Sequence, residues 1–148
     1  MEVQQDFRDL LALLNAHNVE YMIIGAYALA YHGAPRYTGD LDLFVRPDLD
    51  NAQRILKALQ QFGFASVGLK VQDFTEADRI VQLGVPPVRV DILTSITGVA
   101  WEEAASGWVE GMFGDVPVHY IGRKELIRNK RAIGRKKDLA DLEAIGEE

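Results

Sequence analysis

The sequence predicts an α/β (α+β) fold: a small mixed β-sheet flanked by helices, in one domain spanning residues 1–148. Three observations carry this. Short apolar or alternating runs at 21–24, 40–45 and 88–93 read as strands. Apolar residues at helical spacing in 2–17 and 51–62 read as amphipathic helices. The two patterns interleave along the chain, which is the order of elements that builds helices around a sheet.

The first helix covers 2–17, because Phe7, Leu10, Leu11 and Leu14 form one stripe; Asn18 stops it. Residues 21–24 are apolar throughout and predict a buried strand that ends at Gly25-Ala26. A short helix over 27–31 follows, stopped by His32-Gly33, and Pro35 prevents a restart. Residues 40–45 form the second strand. Side chains alternate faces there, so Asp40 and Asp42 point one way and Leu41, Leu43 and Val45 the other. Asp48 or Asp50 caps a helix over 51–62 with Ile55, Leu56, Leu59 and Phe62 inward, and Gly63 ends it.

Residues 64–67 predict a short edge strand and 70–76 a loop. A strand over 79–83 leads into a turn with Gly84, Pro86 and Pro87. In the strand 88–93, Val88, Val90 and Ile92 share one face and Arg89, Asp91 and Leu93 the other. A helix over 102–109 is anchored by Trp101 and Trp108. A strand over 116–121 follows a Gly114-Asp115 turn, and helices 124–132 and 136–145 hinge at Gly134.

Composition narrows the function. The chain has no cysteine, which removes disulfides and thiolate zinc sites and is compatible with a reducing cytoplasm, the expected location. Its start is acidic and amphipathic rather than basic then apolar, so no signal peptide is expected. No run reaches the roughly 18 apolar residues of a membrane span, so no membrane partner is expected. The net charge is −6, yet residues 123–137 alone carry +7, leaving −13 on the remainder. Such a run is either a solvated helical face or a patch for triphosphate, RNA or an acidic partner.

The chemistry gathers in 19–47. Asp40 and Asp42 side by side repel, and a cation between them removes that penalty. Magnesium suits the position, being a hard ion that joins one or two carboxylates to substrate phosphates. The Gly25-Ala26 bend opens a helix, where backbone N–H groups face a phosphate that glycine lets approach. Asp91 brings a third acid if its face meets that of Asp40 and Asp42; otherwise it is a strand acid bridged to Arg89 or Arg36. His32 reads as a helix-end residue, and His17 and His119 lack metal-ligand partners at useful spacing. Tyr27, Tyr31 and Tyr37 read as packing residues, any of which can also stack on a base.

Four stretches taken together, IIGAYALAYHG, RYTGDLDLFV, VRVDILT and GRKKDLADL, resemble the polymerase-β-like nucleotidyltransferase superfamily. Within it they are similar to the small bacterial enzymes of abortive-infection and toxin–antitoxin systems, the AbiEii-like, minimal type. The resemblance covers nearly the whole chain. It implies transfer of a nucleoside monophosphate from a nucleoside triphosphate to a hydroxyl of an RNA (a tRNA) or of a partner protein, toxin or antitoxin. It also implies two Mg2+ ions, with Mn2+ as a substitute. On this likeness Asp40, Asp42 and Asp91 hold the metals, and Asp91 helps deprotonate the attacking hydroxyl. Gly25 and Ala26 cradle the phosphates, with Arg36 and Thr38 in support. Lys137 approaches the triphosphate, and Asp138 and Asp141 orient it or cap the helix. The family has Gly-Gly or Gly-Ser where this chain has Gly25-Ala26, so a hydroxyl contact to phosphate is absent. The rival readings are a toxin-binding module with a weak or silent site, and an Asp-nucleophile phosphatase of the haloacid-dehalogenase type. Against the latter, the Asp pair begins its strand instead of following it.

Overall fold

The computed structural model describes residues 4–34, 40–64, 67–85 and 88–146. The helix-breaking role read for Pro35 and the turn read for Pro86 and Pro87 lie outside those residues.

Helix α1 (Gln5–Ala16) buries Phe7, Leu10, Leu11 and Leu14, the stripe its spacing dictates, and the Gln4 side chain caps it by accepting from the Phe7 amide. Strand β1 (Tyr21–Ile24) is buried at every position. Helix α2 (Gly25–Tyr31) starts directly on Gly25, two residues earlier than its apolar pattern suggested. Strand β2 (Asp40–Val45) alternates as expected, with Leu41, Leu43 and Val45 buried and Asp40 and Asp42 half-buried. Helix α3 (Leu49–Leu59) takes Asp48 as its cap. A wide π-helical turn, Gln60–Phe64, then bends at Gly63.

Strands β3 (Ile80–Val85) and β4 (Val88–Leu93) form an antiparallel pair. Helix α4 (Trp101–Gly107) precedes β5 (Val109–Phe113) and β6 (Val116–Tyr120), a second antiparallel pair. Helices α5 (Arg123–Ile133) and α6 (Lys136–Ala144) close the chain. They meet at Gly134, whose φ of +69° ends α5 in the left-handed conformation glycine tolerates best.

Among the described residues the strands make one mixed sheet in the order β3-β4-β2-β1-β6-β5. β1 runs antiparallel to β2 and parallel to β6, and β2 runs parallel to β4. The parallel register sets Leu41 beside Val90 and Leu43 beside Ile92, so all four side chains enter one core. Helix α1 packs against α3 and reaches β4 and β6. On the acid-bearing face, Phe44 meets Trp101 edge-on at 5.1 Å, so α4 closes one end of that face and leaves the other open.

Several expectations are corrected. Of the stretch 64–67 read as an edge strand, residues 65–66 lie outside the described residues; Phe64 ends the π-helical turn against Phe62, 5.6 Å away, and Val67 is exposed. The segment 70–76 is no plain loop. It holds a 3₁₀ turn, Val71–Phe74, capped by Asp73, which plugs Phe74 completely into the core. Helix α4 stops at Gly107, and Val109 opens β5, a strand the sequence reading missed. Within α3 the inward set is Ala52, Ile55, Ala58 and Leu59, while Leu56 and Phe62 are only half-buried. Asn51 is fully buried as well. Its side chain accepts from the Glu20 amide at 2.7 Å and donates to the Glu20 and Arg46 carbonyls, tying α3 to the ends of β1 and β2.

Candidate functional site: an acid row facing a basic corner

Two registers bring the acids together. β1 and β2 pair Ile24 with Asp42, and β2 and β4 pair Asp42 with Asp91 and Asp40 with Arg89. In a parallel pair, residues in register point to the same face, so Asp42 and Asp91 stand side by side. The charge of Asp91 is therefore felt at Asp42. Asp91 also accepts from Arg89, whose Nε lies 3.2 Å from Oδ1 and whose Nη2 lies 3.4 Å from Oδ2. Asp91 therefore both joins the acid row and carries the strand ion pair that was its alternative reading.

Burial first, and then the neighbouring charges of Asp91 and Asp40, together push the Asp42 carboxyl up from 3.8 to about 6. The ammonium of Lys137 opposes them. Asp42 also stands directly against the bend between β1 and α2. Gly25 has φ +68°, and a Cβ on it would lie 2.2 Å from Asp42 Oδ2 and 3.1 Å from Asp42 Cβ. Only glycine lets the backbone come so near the carboxylate.

These groups line an open cleft of about 680 Å³. Asp40, Asp42 and Asp91 occupy one wall with Gly25 and Ala26; Ile80 and Gln82 of β3 extend it; Asn129, Lys130, Arg135 and Lys137 come from the corner between α5 and α6. Of the residues expected in the site, the fold thus brings together Gly25, Ala26, Asp40, Asp42, Asp91 and Lys137. Arg36 and Thr38 lie outside the described residues, as does Tyr37.

The donor set suits a hard divalent cation: carboxylate oxygens whose mutual repulsion already raises one pKa. Among the described residues no group of three or more acidic or imidazole side chains is placed to hold a metal ion together. Magnesium seldom needs such a group, since it commonly keeps waters and takes one or two carboxylates plus substrate phosphates.

Asp138 and Asp141 share a cationic partner. They hold Lys130, a buried lysine whose Nζ lies 3.4 Å from Asp138 Oδ1 and 3.0 Å from Asp141 Oδ2. Asp138 does cap α6, accepting from the Arg135 amide at 3.2 Å. It also accepts from Arg135 Nε at 2.7 Å; Arg135 first, and Lys130 after it, hold its carboxyl below the usual range. The turn at Gly134 folds the first turn of α6 back onto the last turn of α5, which brings Lys130 to both aspartates. Lys130, Asn129 and Gln82 were missed. A signal existed for the first two, because positions 126, 129, 130 and 133 form one helical stripe, and polar residues in a buried stripe need partners. Asn129 indeed donates to the Thr97 carbonyl at 2.9 Å.

The remaining candidates have packing roles. Tyr27 is buried between Phe7 and Phe113, and Tyr31 stacks on Tyr120 at 4.2 Å. His32 contacts the Ile121 carbonyl at 2.7 Å, and His119 stacks on Trp108 at 3.9 Å. No helix among the described residues is long and apolar enough to cross a membrane.

No family model and no curated protein matches the chain. Solved structures do. A proposed nucleotidyltransferase from Thermotoga maritima superposes with a TM-score of 0.62 at 12% identity, over 94% of this chain and 89% of its own. The antibiotic-resistance factor ANT(2'')-Ia gives 0.62 at 14% identity, over 95% of this chain and 80% of its own. The lincosamide antibiotic adenylyltransferase LnuA, with lincomycin bound, gives 0.57 at 12% identity, over 96% and 95%. At such identities the likeness is one of fold. The mixed sheet and helices are those of nucleotidyltransferase structures.

Proposed function

We propose that this chain is a metal-dependent nucleotidyltransferase that moves a nucleoside monophosphate from a nucleoside triphosphate to a hydroxyl. The observation that carries the reading is the Asp42–Asp91 pair, with Asp40 beside it, facing Lys137 across one cleft. Asp40, Asp42 and Asp91 would hold Mg2+ (two ions, or Mn2+). When bound, the metal supplies positive charge to the entering and leaving oxygens.

The chain's own groups do the positioning, which is most of what phosphoryl transfer requires. Gly25 and the Ala26 amide take the phosphates, and Lys137 balances the triphosphate charge from the opposite wall. Asp91 accepts the proton as the hydroxyl oxygen bonds to the α-phosphorus. The bond from that phosphorus to the bridging oxygen breaks, and pyrophosphate leaves with the electron pair. Arg36 and Thr38 complete the reading as support for the phosphates.

The acceptor is a hydroxyl of an RNA, a tRNA being the candidate, or of a partner protein in a toxin–antitoxin or phage-defence setting. Two of the similar folds belong to proteins named for antibiotics, which keeps a small-molecule hydroxyl as a lower-ranked acceptor. The competing reading, a toxin-binding module with a weak site, draws on Ala26 standing where a serine would add a hydroxyl.

The experiment is incubation with each α-labelled nucleoside triphosphate, magnesium and host lysate. Label should appear on a macromolecule with wild type and vanish with Asp42→Ala, at unchanged thermal stability or better. A loss on the order of a thousandfold corresponds to about 4 kcal/mol of barrier. Near wild-type labelling by Asp42→Ala would sink the assignment. A thermal shift with triphosphate plus magnesium would favour the enzyme, and no shift, with no label anywhere, would favour the binding module.

A further inference from the structure

The basic run 123–137 is divided by the fold. Lys130 is neutralised by its two buried aspartates, and Arg135 and Lys137 turn to the reaction cleft. Arg123, Lys124, Arg128 and Arg131 instead line a separate groove of about 610 Å³, floored by Ile127. Apart from Arg123, which opens the helix, the two sets of α5 residues lie on opposite sides of it. At 100° per residue, Asn129, Lys130 and Ile133 cluster on one side, and Lys124, Ile127, Arg128 and Arg131 on the other.

Four cations around one aliphatic residue, on a chain of net charge −6, form a surface for a polyanion. The groove is not the triphosphate site, because a whole helix stands between it and the acid row. Its lining also does not suit a protein partner. Protein interfaces centre on apolar and aromatic residues and deplete charge, whereas nucleic-acid interfaces are polar and strongly positive. Glu103 reaches Arg128 at 2.5 Å, and Arg123 donates to the Ile145 carbonyl at 2.6 Å. A guanidinium carries five N–H donors, so the single contact to Glu103 orients Arg128 without saturating it.

We propose that the groove formed by Arg123, Lys124, Arg128 and Arg131 on the outer face of α5 docks the backbone of a single-stranded RNA whose end enters the cleft as acceptor. The proposal rests on the transferase reading above and names its acceptor class. α5 with side chains is about 10–12 Å across. At about 3.4 Å per phosphate along a stacked strand, three or four nucleotides cross it. A strand held in the groove thus needs about that many nucleotides to bring its terminal ribose, with two adjacent hydroxyls, to the cleft side of α5, where Asn129 and Lys130 lie.

The test is fluorescence anisotropy of a 5′-labelled single-stranded RNA with the full chain, beside transfer of label from an α-labelled triphosphate to the same RNA. Three or four phosphate contacts should raise Kd roughly 20- to 50-fold between 50 and 200 mM salt. Lys124→Glu with Arg131→Glu should weaken RNA binding at least tenfold and lower transfer, while the thermal shift with triphosphate plus magnesium stays as in wild type. If that pair does not fold, Lys124→Gln with Arg128→Gln should give a smaller loss in the same direction. Unchanged Kd in folded variants, a flat salt response, or equal displacement of RNA by polyglutamate of matched charge would overturn the groove. Equal binding and labelling of the matching DNA strand would overturn its assignment to RNA. RNA binding that the variants abolish, with no label transferred by wild type, would retain the groove and remove the transferase reading.

Discussion

Asp42→Asn should make the metal-free protein more stable at pH 8. The carboxyl of Asp42 titrates at about 6 in the fold, against 3.8 ordinarily, because burial, Asp91 and Asp40 all disfavour its charge. A folded chain that binds a proton more tightly than the unfolded chain is stabilised as pH falls. Below about 3.8 both states are protonated and the penalty is absent; it grows through the interval and is complete above about 6. At about 1.36 kcal/mol per pH unit, the distance between those two values sets the penalty at roughly 3 kcal/mol. Asparagine keeps the shape and drops the charge, so it removes the penalty at pH 8 and changes little at pH 4. For a chain of this size the gain is worth roughly 5–10 °C in Tm.

The assay is thermal unfolding of wild type and Asp42→Asn in chelator at pH 4, 6 and 8, then with magnesium. The difference should be largest at pH 8, shrink toward pH 4, and narrow when magnesium relieves the wild type. A variant less stable than wild type at pH 8, or a gain equal at pH 4 and pH 8, would refute the reasoning. In either case the acid row would not be the strained element of this fold.

Two further perturbations test the frame around the site. Gly25→Ala places a methyl group on Asp42 Oδ2 at a φ of +68°, so denaturant melts should show a loss of at least about 1–2 kcal/mol, with transfer falling further as the carboxylate is displaced. Wild-type stability together with wild-type transfer would mean that the bend tolerates a side chain. Asn51→Ala strips partners from the Glu20 amide and from the Glu20 and Arg46 carbonyls, and urea unfolding should register about 2–3 kcal/mol lost. A loss below about 0.5 kcal/mol would show that water takes over those groups.

Elements whose partners lie close in sequence, or whose pattern is self-sufficient, were legible. The stripe of α1, the apolar β1 and the alternation in β2 and β4 each state which face is buried without reference to anything distant. β5 escaped notice because its alternation, Val109, Gly111 and Phe113 inward, begins directly after Trp108 and merges with the preceding helical pattern. Phe74 looked like loop because a single buried aromatic in a polar stretch has no period. Asn51 sits on the buried side of a helix and is explained only by the strand ends it bonds.

The candidate site divides in the same way. Three acids, one of them alone in its strand, and a glycine at the end of a buried strand are visible in the chain itself, because two-residue alternation fixes which side chains share a face. That Asp42 meets Asp91, however, is a matter of register between strands some fifty residues apart, and pairing distance leaves no trace in local spacing. The division of the basic run into a neutralised lysine, a cleft pair and an outer groove was likewise decided by the turn at Gly134 and the packing of α6 on α5. Local sequence dictates secondary structure and its buried side; which charges end up neighbours depends on how those buried sides close on one another.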